Sequence, residues 1–263
     1  MTQTIMTAND AIAIEARDLV KDYGSGDNVV HALRGVNVAF ARGRFTAIMG
    51  PSGSGKSTLM HTMAGLDSAT SGHIMFGRRD LTEMNDNQLT LLRRSQIGFI
   101  FQSFNLLPMF TAEQNILMPL TLAGKRVDRR WFNLLAKTLG LEERLGHRPN
   151  ELSGGQQQRV AIARALITKP RLVFADEPTG NLDSVSSAEV LSFLQRSVDE
   201  LGQTVIMVTH DAVAASYADR AIVFADGQIV ADEPNPTAER MNELLMRQRE
   251  AAAQHASSAR IAD

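Results

Sequence analysis

The sequence predicts an α/β fold built around a parallel sheet, and three observations carry that expectation. Short apolar runs recur at Phe45–Met49, 172–175 and Val205–Val208, as expected of strands buried on both faces. A helical stretch, 187–201, separates the last two, which is the spacing a parallel pair requires. The first run opens into a glycine-rich loop, and a helical segment follows it.

Taken in order, residues 11–23 and 29–40 read as strands joined by a turn of Gly24, Ser25, Gly26, Asp27 and Asn28. Beyond Phe45–Met49 and its loop, 57–64 reads as a helix stopped by Gly65. Residues 73–76 read as a short strand, 87–94 as a helix and Ile97–Phe101 as another strand. The middle section changes character. Thr111 and Gln114 form a capping-box pattern that opens a helix to about Leu122, and 128–139 is a second helix closed by Gly140. Further on, the runs 221–224 and 228–230 flank Asp226 and Gly227, a hairpin signal. Asn235 and Pro236 suit a helix start, Met241, Leu244 and Leu245 make a weak apolar stripe, and 251–263 reads as a frayed end. Met49, Met60, Met63 and Met207 read as core filler, Trp131 as packing for the helical section, and the arginine pairs 78–79, 93–94 and 129–130 as solvated faces.

Composition narrows the function. Lysine and arginine number 27 against 29 acidic residues, a net charge of −2, which excludes a nucleic-acid binder that works through bulk charge. No cysteine is present, so disulfide frameworks, cysteine zinc sites and thiol nucleophiles are all excluded. The apolar runs fall short of the ~20 residues that span a bilayer. Residues 1–10 lack the basic start and hydrophobic run of a secretory signal. The expectation is a soluble, intracellular chain without direct membrane insertion.

The loop after the first buried strand carries the strongest chemical signal. Gly50, Pro51, Ser52, Gly53, Ser54, Gly55, Lys56 and Ser57 match the phosphate-loop pattern G-x-x-x-x-G-K-[ST], between a predicted strand and a predicted helix. Glycines let backbone N–H groups and a helix N-terminus converge on phosphate oxygens. Lys56 adds a point charge for the terminal phosphates, and the Ser57 hydroxyl suits Mg²⁺. A nucleotide with Mg²⁺ is the expected ligand.

A second buried-type strand ends in adjacent carboxylates, Asp176 and Glu177. Beside a phosphate loop, the nucleotide's metal needs an oxygen ligand and the attacking water needs a base, which assigns Asp176 to the metal and Glu177 to the water. Alternation along the strand sends the two side chains different ways. His210 and Gln102 each follow a buried strand, at the carboxyl edge where α/β sheets bind ligands. Ser153, Gly154, Gly155 and Gln156 precede a helix that runs to about Ile167 and make a second anion-binding N-terminus. Two such loops with one acidic strand end fit a two-fold dimer with composite sites.

With these motifs in this order, the chain resembles the nucleotide-binding subunit of ATP-binding-cassette transporters over 11–233. The resemblance implies a P-loop NTPase fold: a RecA-like core with a mixed sheet, an antiparallel β subdomain, and a helical subdomain inserted at about 103–167, followed by a C-terminal helix and tail over 234–263. It makes Gly50 to Thr58 the Walker A motif, Gln102 a Q-loop residue that also serves the metal, 152–156 the signature, Asp183 part of the D-loop and His210 the switch histidine. It places Tyr23 against adenine. The stretches 31–36, 100–108 and 178–183 resemble one bacterial subgroup of macrolide and peptide exporters, lipoprotein-release systems and a cell-division relative. The implied function is ATP hydrolysis in a homodimer that energises a separate membrane permease from the inner face of the membrane. An alternative is an ATPase whose membrane partner regulates cell-wall hydrolysis without transport. Only 97 residues separate Lys56 from Ser153, too few for the long coiled coil of chromosome-maintenance relatives.

Overall fold

The computed structural model describes residues 11–261. Strands β1 (Ile12–Tyr23), β2 (Val30–Ala41), β4 (Ser71–Phe76) and the two-residue β5 (Arg79–Asp80) form an antiparallel sheet in the order β2-β1-β4-β5. A second sheet has the order β10-β9-β3-β8-β7-β6. Its members are β3 (Phe45–Met49), β6 (Ile97–Phe101), β7 (Leu172–Asp176), β8 (Val205–Val208), β9 (Arg220–Ala225) and β10 (Gln228–Pro234). Five of these run parallel and β10 closes the edge antiparallel to β9, so the sheet is mixed, as expected. At its turn Asp226 and Gly227 take φ of 49° and 77°, the left-handed pair a tight hairpin of this twist needs.

Side-chain alternation along the buried strands divides the interior in two. On one face Ile48, Phe174, Ile206 and Phe224 meet Ile14, Leu19 and Phe40 of the antiparallel sheet, with Leu59, Met60 and Met63 of α1 (Lys56–Met63) filling the gap. On the other face Ala47, Val173, Ala175, Val205 and Met207 pack under helices α3 (Ala112–Leu122), α4 (Arg129–Thr138), α5 (Gly154–Leu166) and α6 (Ser184–Leu201). The four methionines named above are buried here, as expected of core filler. Trp131 packs against the same core and donates Nε1–H to the Leu166 carbonyl at 3.1 Å.

Helix starts follow their caps. Thr111 and Gln114 make the reciprocal hydrogen bonds of the expected capping box, and Asn85 and Gln88 repeat it at α2 (Asp86–Gln96). Asp128 caps α4, and Gly140 ends it at φ 62°. Three boundaries differ from the sequence reading. Helix α6 starts at Ser184 rather than 187, because Asp183 caps it. A four-residue helix, α7 (Ala212–Ala215), follows Asp211, too short to show periodicity. Helix α8 (Ala238–Ile261) continues through alanine-rich residues of high helix propensity where a frayed end was expected. Met241 and Leu244 dock its first turns onto the core. Among the described residues no helix is long and apolar enough to cross a membrane.

Candidate functional site

The loop between β3 and α1 is shaped by contacts that leave no room for side chains. Gly55 has φ 103°, and a Cβ there would lie 2.4 Å from the Ala32 carbonyl oxygen; at Gly50 it would lie 1.9 Å from that of Phe224. The β9–β10 hairpin braces the loop: Gly227 N–H donates to the Ser54 carbonyl, while Arg34 N–H donates to the Gly227 carbonyl, each at 3.0 Å. Residues Gly53 to Thr58 line a cleft of about 630 Å³ together with Tyr23 and Arg34. Lys56 is only 8% exposed, and its Nζ donates to the Pro51 carbonyl at 2.6 Å and meets Ser54 Oγ at 3.5 Å. Burial pushes its ammonium below the ordinary value, and the carboxylates of Glu177 and Asp176 pull it back up.

Asp176 ends β7. Burial pushes its carboxyl above the ordinary range against the pull of His61; Glu177 adds to the rise, and the Ser57 hydroxyl and Lys56 oppose it. Glu177 sits in the left-handed region at φ 46°, a conformation that costs a non-glycine residue about 1–3 kcal/mol. Its N–H donates to the Val208 carbonyl at 2.9 Å and its own carbonyl accepts from Gly180 at 3.0 Å. The resulting turn carries its Oε2 to within 2.6 Å of His210 Nδ1. Asp176 and Glu177 therefore diverge as the alternation predicts, one toward Ser57, the other toward His210.

Gln102 follows β6 but lines neither this cleft nor the neighbouring one at Glu177 and His210. Its Nε2 lies 3.4 Å from Asn181 Oδ1, its carbonyl accepts from Asn181 Nδ2 at 3.0 Å, and Gly180 lies against its amide. Asp183 is committed to α6: it accepts from the N–H groups of Val185 and Ser186 and from Ser186 Oγ, and these bonds, led by the Ser186 amide, hold its carboxyl below the ordinary range. Ser153 caps α5 and exchanges hydrogen bonds with Gln156. Gly155 is required here, since a Cβ would lie 2.7 Å from Ser186 Oγ. Ser153, Gly154, Gly155 and Gln156 line neither cleft of their own chain.

Sequence reasoning missed three contacts of the site. His61 Nε2 lies 3.8 Å from Asp176 Oδ2. Its position four residues after Ser57 on a predicted helix places both on one face, a signal that was available. Asn181 steadies Gln102, and Asp67 accepts a hydrogen bond from the Tyr23 hydroxyl at 2.5 Å. Both are long-range pairings that no local pattern announces.

A braced phosphate loop, a metal-type aspartate and a glutamate–histidine pair at the carboxyl edge of one sheet define a phosphate-loop ATPase. Comparison with known proteins resolves the family. Residues 33–180 match the family described as ABC transporter. The lipoprotein-releasing system ATP-binding protein LolD of Geobacter metallireducens is 49% identical over 221 residues, 83% of this chain and 98% of that protein. The macrolide export ATP-binding/permease protein MacB of Syntrophobacter fumaroxidans is also 49% identical, over 220 residues, but this chain spans only 31% of its length. The dimeric post-hydrolysis structure of the cassette MJ0796 from Methanocaldococcus jannaschii, bound to ADP and Pi, superposes with a TM-score of 0.77 at 39% identity, covering 84% of this chain and 98% of that one. The chain belongs to the ABC transporter family, as an ATP-hydrolysing subunit.

Proposed function

We propose that two copies of this chain close on two ATP molecules, each held between the loop Gly50 to Thr58 of one copy and Ser153, Gly154, Gly155 and Gln156 of the other, and that closure drives a membrane permease. The observation that carries the reading is the 2.6 Å contact between Glu177 and His210 beside Lys56 and Asp176. The proposed cassette spans 11–233 with a helical arm over 103–167, followed by the 234–263 segment, and it works on the inner face of the cell membrane. The relatives named for lipoprotein release and macrolide export favour transport over a role confined to the cell wall.

In the proposed site Lys56 and the loop amides bind the β- and γ-phosphates, and Tyr23 stacks on adenine. Glu177 accepts a proton from the attacking water, and His210 holds Glu177 and steadies charge on the transferred phosphoryl group. The residues present fit Mg²⁺: the Asp176 carboxylate and the neighbouring Ser57 hydroxyl, which opposes the rise of its pKa, form the hard oxygen set that this ion prefers. Asp176 and Ser57 would hold it, with Gln102 reaching in from β6, and Mg²⁺ would neutralise phosphate charge. Ser153 and Gly155 contact the γ-phosphate across the dimer, and Asp183 lies at the same junction.

Complementation tests the shared site. Lys56→Ala and Ser153→Asp should each abolish hydrolysis alone. In a 1:1 mixture each mixed dimer keeps one of its two sites intact, so activity should return, to no more than about half the unmodified level. An inactive mixture would contradict sites shared between copies. Co-purification from detergent-solubilised membranes identifies the permease.

A further inference from the structure

Tyr23 is held by a network that the proposed mechanism does not use. Its hydroxyl donates to Asp67 Oδ2 at 2.5 Å, and the other carboxylate oxygen, Oδ1, accepts from Lys21 Nζ at 2.7 Å. Lys21 is buried at 7% exposure, donates also to the Ser68 carbonyl at 2.7 Å, and places its ammonium 4.7 Å from the centroid of the Tyr23 ring. The Asp67 N–H in turn lies 3.3 Å from the His61 carbonyl at the end of α1. Tyr23 lines the phosphate-loop cleft, whereas Lys21 and Asp67 do not. One ring face is thus covered by a cation from behind, the ring's rotation is fixed by its hydroxyl, and the ring itself stays 41% exposed.

An exposed tyrosine turning freely about its side-chain bonds would lose rotamer entropy on stacking with a base. A ring already clamped does not, and a cation behind it costs nothing further when the base arrives. We propose that Asp67 and Lys21 are positioning residues that preset Tyr23 as a platform for the adenine base, so that they strengthen binding of the nucleoside end of ATP and leave binding of its phosphates unchanged. This rests on the reading of Tyr23 as the adenine contact.

The test compares ATP with tripolyphosphate, which carries the phosphates and no base, binding to the full chain by titration calorimetry. Asp67→Asn, Lys21→Met and Tyr23→Phe should each weaken ATP about 5- to 10-fold, the size of ordering one side chain, with tripolyphosphate affinity unchanged. In steady-state hydrolysis KM rises and kcat holds. In a Tyr23→Ala background Asp67→Asn should have no further effect. The proposal is overturned if Asp67→Asn weakens tripolyphosphate as much as ATP, or if it acts equally with and without the ring. Tyr23→Phe keeps the ring and leaves Lys21 and Asp67 paired, so it decides the question if the other variants fold poorly; ATP affinity equal to the unmodified protein would contradict the clamp. If Tyr23→Ala itself binds ATP normally, the adenine contact fails separately, and the clamp with it.

Discussion

The carboxylate of Glu177 lies 2.6 Å from Nδ1 of His210, although the two residues follow different strands, β7 and β8. The left-handed turn at Glu177 and the parallel pairing of Asp176 with Val208 bring them together. The pair fixes the direction of the base and offers a donor where phosphoryl charge develops. His210→Ala should therefore lower kcat about 100-fold while KM for ATP stays within about twofold, measured by steady-state phosphate release.

Two of the three glycines of the phosphate loop, Gly53 and Gly55, separate backbone strain from contact. Gly55→Ala meets both a left-handed φ and a carbonyl oxygen at 2.4 Å, whereas Gly53→Ala, at φ 76°, meets open space. Urea denaturation should show a loss of more than about 2 kcal/mol for Gly55→Ala and about 1 kcal/mol for Gly53→Ala. Equal losses would contradict the packing of the loop under Ala32 and Phe224.

Ser153 carries two roles that a pair of substitutions separates. Ser153→Ala removes the α5 cap and should cost about 1 kcal/mol of stability. Ser153→Asp keeps a capping oxygen but sets a negative charge where the partner copy's γ-phosphate is proposed to sit. It should retain stability in urea and lose ATP-dependent dimerisation by size-exclusion chromatography; a stable variant that still dimerises would remove Ser153 from the shared site.

Burial raises the Asp176 carboxyl above its unfolded value, so at pH between the two values the folded chain holds a proton there that the unfolded chain has released. The penalty for this group is complete at pH above its folded pKa and fades as pH falls toward the unfolded carboxylate range. Asp176→Asn should raise the denaturation midpoint of the nucleotide-free protein at pH 7, and the gain should vanish near pH 3. The same variant should lose Mg²⁺-dependent hydrolysis, which separates stability from function at one residue.

Much of this was legible in the sequence because it rests on local chemistry. The phosphate loop, the buried strands Phe45–Met49 and Val205–Val208, and the capping box at Thr111 each depend on residues within a few positions of one another. What escaped depends on tertiary approach. The two-residue β5 exists only as a partner for Phe76 and Met75 of β4. Arg93 and Arg94, read as a solvated face, instead reach the carbonyls of Gly65 and Leu122 and tie α2 to its surroundings. Lys21 lies within a strand, and nothing local announces that the turn at Asp67 folds over it. Asp183, part of the D-loop by resemblance, has both carboxylate oxygens engaged by α6 and lines neither cleft of its own chain.

The central claim is that Glu177 is the base of an ATP-driven dimer. Glu177→Gln keeps the side-chain shape and removes proton acceptance, which accounts for about 10²–10⁴ of the rate. Hydrolysis and oligomeric state of this variant, measured together in ATP and Mg²⁺, decide the matter. Hydrolysis should fall by at least about 100-fold, with the protein eluting as a dimer. Hydrolysis at the unmodified rate, or a monomer that still binds ATP, would contradict it.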